Sequence, residues 1–308
     1  MSLLRLTGVP ALAILAASLS LAQSNFVGST ACRACHGAIY NEFYRNPHYK
    51  SLASGKEKPE NTGCEGCHGP AGNHVDSGGG RDSIPRAFSL LQPNQVLDTC
   101  LRCHSQTVSR ANIRRSVHTQ QDVVCTNCHS VHSSRAPKFL LASAKQTDLC
   151  YSCHSSVKAQ FALPFKHRVN EGFIQCTDCH NPHGTFAATT RMSARPRLVD
   201  QAQGNEQPCL KCHVDKRGPF VFEHAAVRVD GCETCHNPHG STNARLLRRP
   251  VVFTVCLECH NGAGGFGRSK DGEPRQTTSH NMADPRFQNC TACHVRIHGS
   301  NADSFFFR

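Results

Sequence analysis

All twenty cysteines of this 308-residue chain fall into Cys-x-x-Cys-His motifs, a pattern with one strong chemical meaning. The motifs are Cys32-Cys35-His36, Cys64-Cys67-His68, Cys100-Cys103-His104, Cys125-Cys128-His129, Cys150-Cys153-His154, Cys176-Cys179-His180, Cys209-Cys212-His213, Cys232-Cys235-His236, Cys256-Cys259-His260 and Cys290-Cys293-His294. Two thiols three residues apart can add to the two vinyl groups on one edge of a haem. The next histidine then lies under the iron as its proximal ligand. Zinc sites and disulfides also use closely spaced cysteines, but neither requires a histidine after every second one. The expected cofactor is haem c, attached covalently ten times.

Ten further histidines remain: His48, His74, His118, His132, His167, His183, His224, His239, His280 and His298. One falls between each motif and the next, and one follows the last. Unrelated surface histidines would not space themselves in this way, so each is expected to be a distal ligand, giving bis-histidine iron throughout. Methionine is no general alternative, since only Met192 and Met282 exist beyond the initiator. A six-coordinate iron has no open position for substrate, which favours an electron carrier with no catalytic residues. Two other functions stay open: a reductase of nitrogen or sulfur oxyanions working at one open haem, and a subunit of an extracellular cytochrome filament.

From each motif histidine to the next free one the gaps run 12, 6, 14, 3, 13, 3, 11, 3, 20 and 4 residues, alternating long and short. The motif interiors keep the same beat. Odd motifs mostly carry an apolar residue after the first cysteine (Leu101, Tyr151, Leu210, Leu257, with Arg33 the exception), whereas even ones carry Glu65, Thr126, Thr177, Glu233 or Thr291. Both features mark five two-haem modules, near residues 31–74, 100–132, 150–183, 209–239 and 256–298. A short-gap histidine is too close in sequence to reach the far face of its own haem. The expected wiring has it capping the other haem of its own module, with the next module left open.

The elements that must position these residues are short. Ala38 to Tyr44 has helical spacing at Ile39 and Phe43, ended by Pro47, and no sustained alternation suggests a sheet. Polar, Gly- and Pro-containing connections follow at Ser77–Pro93, Ser133–Lys145, Thr185–Gln207 and Ser241–Val251, with a flexible loop at Gly262–Gly272. The expected fold is an elongated multihaem cytochrome c, with short α-helices and loops around a column of haems and little or no β-sheet. Phe305-Phe306-Phe307 reads as a docking element or, at least as readily, a frayed terminus.

Composition agrees. Hydrophobic residues make up 38% with the cysteines included, Trp is absent and mean hydropathy is −0.42, so the polypeptide has little apolar area to offset its ordering entropy. Haems would supply the core. The formal charge of +12 invites a nucleic-acid reading, but ten haems bring about twenty propionates, turning it to roughly −8; no nucleic-acid partner is expected. Residues 1–22 read as a signal peptide, with small residues at Ser20 and Ala22, leaving a decahaem domain at 23–308. The first cysteine is Cys32, so no lipid anchor is expected near the cleavage site. No later segment approaches 18 uncharged apolar residues, so the mature chain should carry no transmembrane helix and reside in the periplasm.

The doubled motifs, the signal peptide and the Asn-Pro-His-Gly sequences at residues 181–184 and 237–240 resemble the periplasmic decahaem cytochromes of the MtrA/DmsE type. The second and last modules depart from that form, with Ser-Val-His132 and Val-Arg-Ile-His298. The resemblance covers essentially the whole mature chain. It implies a haem wire carrying electrons between periplasmic redox partners and the cell exterior. Such wires are commonly threaded through an outer-membrane β-barrel porin and meet an extracellular cytochrome.

Overall fold

The computed structural model describes residues 25–106, 112–133, 136, 139–184, 208–260, 280 and 284–308. The chain divides into two compact units, one ending at Leu90 and the other beginning at Leu91. The leader, Thr185–Gln207, Gly262–Gly272, Met192 and Met282 lie outside the described residues.

The first unit contains α1 (Ser29–Cys32), α2 (Gly37–Phe43), α3 (Tyr49–Ser54), α4 (Gly63–His68) and α5 (Gly72–Asp76). Helix α2 falls where the spacing of Ala38–Tyr44 predicted one, but its inward face differs. Tyr40 and Phe43 are buried, at i and i+3, while Ile39 is 42% exposed. Helices α1 and α3 both pack on α4. The Cys64 N–H donates to Ser29 Oγ at 3.0 Å, and Gly63, at φ +60°, has that hydroxyl where a Cβ would sit. Only glycine allows the first two motifs to approach so closely.

The second unit contains α6 (Pro93–His104), α7 (Val117–Gln120), α8 (Cys125–Cys128), α9 (Gln146–Tyr151), α10 (Ser155–Gln160), α11 (Cys176–Cys179), α12 (Ala225–Val229) and α13 (Val252–Leu257). Helix α6 begins with Pro93 in the first turn, its Gln92 N–H donating to Gln95 Oε1 at 2.8 Å, and it buries Val96 and Leu97. The others run one or two turns, far below the length at which a helix is stable by itself. Their stability must come from what they hold. Among the described residues there is no strand, only isolated bridges such as Phe165 with Ser241 and Phe222 with Ser300. Among the described residues the buried apolar side chains are few and scattered, with only Leu97 and Leu210 fully enclosed, as expected for a fold whose core is not made of side chains.

Candidate metal centres

Each motif is a single helical turn. The histidine N–H bonds back to the carbonyl of the first cysteine at 2.8–3.0 Å in motifs one, four, five, six, seven, eight, nine and ten. This turn puts both thiols and the imidazole on one side, which is the geometry a haem edge requires. In motifs four and six the residue before the second cysteine closes the turn: Asn127 Oδ1 accepts the Val124 N–H at 2.8 Å, and Asp178 Oδ2 accepts the Gln175 N–H at 2.7 Å. No cysteine is in a disulfide. Among the described residues no three His, Cys, Asp or Glu side chains converge as a metal cage.

The thiols associate in a regular way. The Cys32 thiol donates to Cys64, an interaction that raises Cys32 and lowers Cys64 to about 6. Cys209 and Cys232 are paired likewise. Burial, then the neighbouring Cys176, pushes Cys150 up to about 12; burial and Cys290 do the same to Cys256. Each is a pair of first cysteines within one module. Between modules burial raises a second cysteine and the thiols of the next motif add to it: Cys128 feels Cys153, Cys179 feels Cys209 and, more weakly, Cys212, and Cys235 feels Cys259.

Among the described residues eight pairs of histidine rings lie opposite each other, each joining one motif histidine to one free histidine. Centroid separations are 6.3 Å for His36 with His74, 6.1 Å for His154 with His118, and 6.1 Å for His129 with His183. They are 6.3 Å for His213 with His167, 5.9 Å for His180 with His239, and 6.2 Å for His260 with His224. His236 with His298 and His294 with His280 both lie at 6.3 Å. Two imidazoles that bind one metal through Nε2 at the usual ~2.0–2.1 Å place their centroids roughly 6.3 Å apart, whereas directly stacked rings would lie closer. The spacing fits an iron between each pair. Of the remaining four, His48 leads into α3 and His68 ends α4, two helices in contact, and His104 ends α6, which touches α8 just before His129 and His132.

The rings are also held in the tautomer that leaves Nε2 bare. Nδ1–H of His68, His129, His236 and His294 donates to the carbonyls of Arg86, Phe139, Arg245 and Phe305, at 2.9, 2.7, 2.8 and 2.5 Å. His74 donates to the Gly80 carbonyl at 3.0 Å, His118 to Pro182 at 3.1 Å and His167 to Pro238 at 2.7 Å. The second nitrogen of a metal-binding histidine is normally held in this manner. Burial pushes His48, His224 and His239 below the usual histidine range and takes His298 down to about 4, with Lys216 and His236 adding to the effect. These rings are neutral near neutral pH, as a ligand must be.

Two expectations need correcting. His183, His239 and His298 do not face the other motif of their own modules. They face His129, His180 and His236, the even motifs of the preceding modules, and in exchange His118, His167 and His224 face the odd motifs of the following modules. The own-module arrangement holds for His74 with His36. Local spacing could not reveal the swap, because gaps of 3 or 4 residues exclude only the haem of the same motif. The terminal Phe305-Phe306-Phe307 is not frayed either: Phe307 lies 4.9 Å from the His294 ring and Phe306 lies 5.7 Å from His224.

Residues read from the sequence as connections turn out to carry ring anchors. Phe139-Leu140 and Arg245-Leu246 are left-handed pairs, with φ between 53° and 68°, whose first carbonyl receives the even-motif histidine. A non-glycine residue in that region costs about 1–2 kcal/mol, so these turns are strained where they meet the ring. The repeated Phe-Leu-Leu and Arg-Leu-Leu sequences at 139–141 and 245–247 were the available signal.

A family model described as the doubled CXXCH motif matches residues 117–159, 167–218 and 224–265, each match joining an even motif to the following odd one. The chain is 32% identical over 283 residues to the multiheme cytochrome MtrA of Shewanella baltica (strain OS185), covering 90% of this chain and 80% of that protein.

Proposed function

Because this chain belongs to the multihaem c-type cytochromes of the MtrA type and is therefore an electron-transfer protein, we propose that it carries ten bis-histidine haems and serves as a conduit to or from the outer membrane. The observation that carries this reading is the set of eight motif-to-free histidine pairs at 5.9–6.3 Å. His48 with His68 and His104 with His132 complete the set.

When bound, haem iron supplies one-electron exchange between ferric and ferrous states. The chain's residues do the rest. The cysteines would attach each haem covalently, the paired imidazoles would hold its iron, and the carbonyls behind Nδ1 hold the rings and raise their basicity. From Cys128 to Cys290 the thiols of each motif influence those of the next, which brings attachment edges together in chain order. That order suits a wire better than a cluster. The five two-haem modules remain the repeating unit. The first, at 31–74, closes on itself; those from residue 100 onward exchange ligands with their neighbours.

We place the mature protein in the periplasm or at the outer membrane, where redox proteins, a β-barrel porin and an extracellular cytochrome would be its partners. Among the described residues no helix is long and apolar enough to cross a membrane. EPR of the oxidised, fully loaded protein tests the proposal. Ten low-spin ferric centres that do not react with nitrite or cyanide support it, whereas a stoichiometric high-spin centre would indicate a reductase. Copurification with a barrel protein, rather than polymerisation into filaments, tests the conduit role.

A further inference from the structure

Even motifs carry either threonine or glutamate after their first cysteine, and the two glutamates have distinctive surroundings. Glu65 is 3% exposed. Its Oε1 accepts the Val27 N–H at 3.0 Å and the Ala71 N–H at 2.8 Å, and its Oε2 accepts the Gly28 N–H at 2.7 Å. Three backbone donors spread over both oxygens, with no acceptor among them, are the setting of a carboxylate. Glu233 occupies the same motif position in the fourth module, and its Oε2 is buried with no hydrogen-bond partner among the described residues. Each glutamate follows directly on a first cysteine, Cys64 or Cys232, that contacts the first cysteine of the odd motif, Cys32 or Cys209. The carboxylates therefore sit where the attachment edges of two haems meet. The equivalent Thr177 lies on the surface, bonded to Gln146.

We propose that Glu65, a buried carboxylate, and Glu233, a half-buried one, are negative charges that hold the haems of the first and fourth modules at lower potential than those of the three threonine modules. This rests on the haem-binding reading above. One-electron reduction of a ferric haem removes one unit of positive charge from the site, so a nearby fixed carboxylate favours the oxidised state. Out of water the effective dielectric is about 20 instead of 80, which makes the charge roughly fourfold more effective than on the surface. The wire then has two steps in its potential profile, one at the first pair of haems and one inside the swapped run. Both glutamates act on potential without touching the iron.

The test uses full-length, haem-loaded protein with Glu65→Gln, Glu65→Asp and Glu233→Gln variants, each checked by intact mass for ten haems and then titrated spectropotentiometrically. The expected result is that Glu65→Gln moves about two haem equivalents to higher potential, Glu233→Gln moves a different two, and Glu65→Asp, which keeps the charge, moves neither appreciably. An unchanged titration with ten haems present overturns the proposal, as does an equal shift in Glu65→Asp and Glu65→Gln, which would mark a packing effect. Should Glu65→Gln fail to mature, the Glu233→Gln titration decides alone. A native mass lacking haem would instead overturn the cofactor reading itself.

Discussion

His167 donates its Nδ1 proton to the carbonyl of Pro238, 2.7 Å away and 71 residues further along the chain. The same ring faces the motif histidine His213 at 6.3 Å, while His239, next after Pro238, faces His180 at 5.9 Å. One short segment thus orients a ring from the preceding module and delivers its own ring to that module's even motif. His118 and Pro182 repeat the relationship at 3.1 Å. The Asn-Pro-His-Gly sequence has a physical reading here. The Asn181 side chain closes the turn onto His183 and Gly184, Pro supplies the carbonyl, His the ring that faces a motif histidine, and Gly the room for a neighbouring segment.

The exchange predicts which proposed centre each swapped histidine would serve. Replacing His239 by Ala should leave ten haems attached and turn one high-spin, and that one should belong to Cys176–Cys179 instead of Cys209–Cys212. Removing Cys176 and Cys179 in the same protein should abolish the high-spin EPR signal, whereas removing Cys209 and Cys212 should leave it. The opposite outcome would restore own-module wiring.

A Cβ on Gly240 would lie 2.1 Å from the Gln160 carbonyl oxygen, a backbone atom that cannot swing aside. Gly240→Ala should cost about 1–3 kcal/mol, the usual range for overpacking, lower the thermal midpoint and weaken the ligation by His239. Thermal unfolding followed at the Soret band would record both. Gly55→Ala, where nothing lies within 4 Å but φ is +62°, should cost only about 1 kcal/mol, the strain of a left-handed residue.

Truncation should have polarised consequences. A chain ending at Leu90 retains a closed module and should mature with two low-spin haems. A chain ending at Arg248 loses His298 and should present the haem of Cys232–Cys235 as high-spin, although its motif is intact. Mass spectrometry with EPR on both fragments distinguishes this from independent modules, for which both would be wholly low-spin.

Deleting Phe305 to Arg308 removes the carbonyl that receives the His294 Nδ1–H and the ring lying 4.9 Å from that imidazole. A weaker Nδ1 bond makes the imidazole a poorer donor to iron, so the potential of one haem should rise while ten haems remain bound. Spectropotentiometry of the truncated and native proteins measures the difference. No change would mean that the tail only covers the ring.

Much of the candidate site was legible in the sequence. The covalent spacing of Cys-x-x-Cys-His is satisfied within one helical turn, so it needs no knowledge of the rest of the chain, and the even distribution of ten more histidines identified candidate partners. The shortage of apolar residues pointed to a core not made of side chains, and among the described residues the larger buried apolar groups are Tyr40, Phe43, Val96, Leu97, Ile113, Val124, Phe161, Val169 and Leu210.

What the chain alone could not decide was everything that depends on residues far apart meeting. Gaps of 3 or 4 residues after the even motifs exclude a reach-around to the same haem, yet they say nothing about which other segment comes near. That choice was made by tertiary packing: the Phe165–Ser241 and Phe222–Ser300 bridges, the Pro182 and Pro238 carbonyls, and the close approach at Gly184 and Gly240. The local code determined the ten Cys-x-x-Cys-His turns. Only the fold decided how the two sets of ten histidines are matched, because a ligand pair is fixed by distance in space, and loops of this length can reach more than one neighbour.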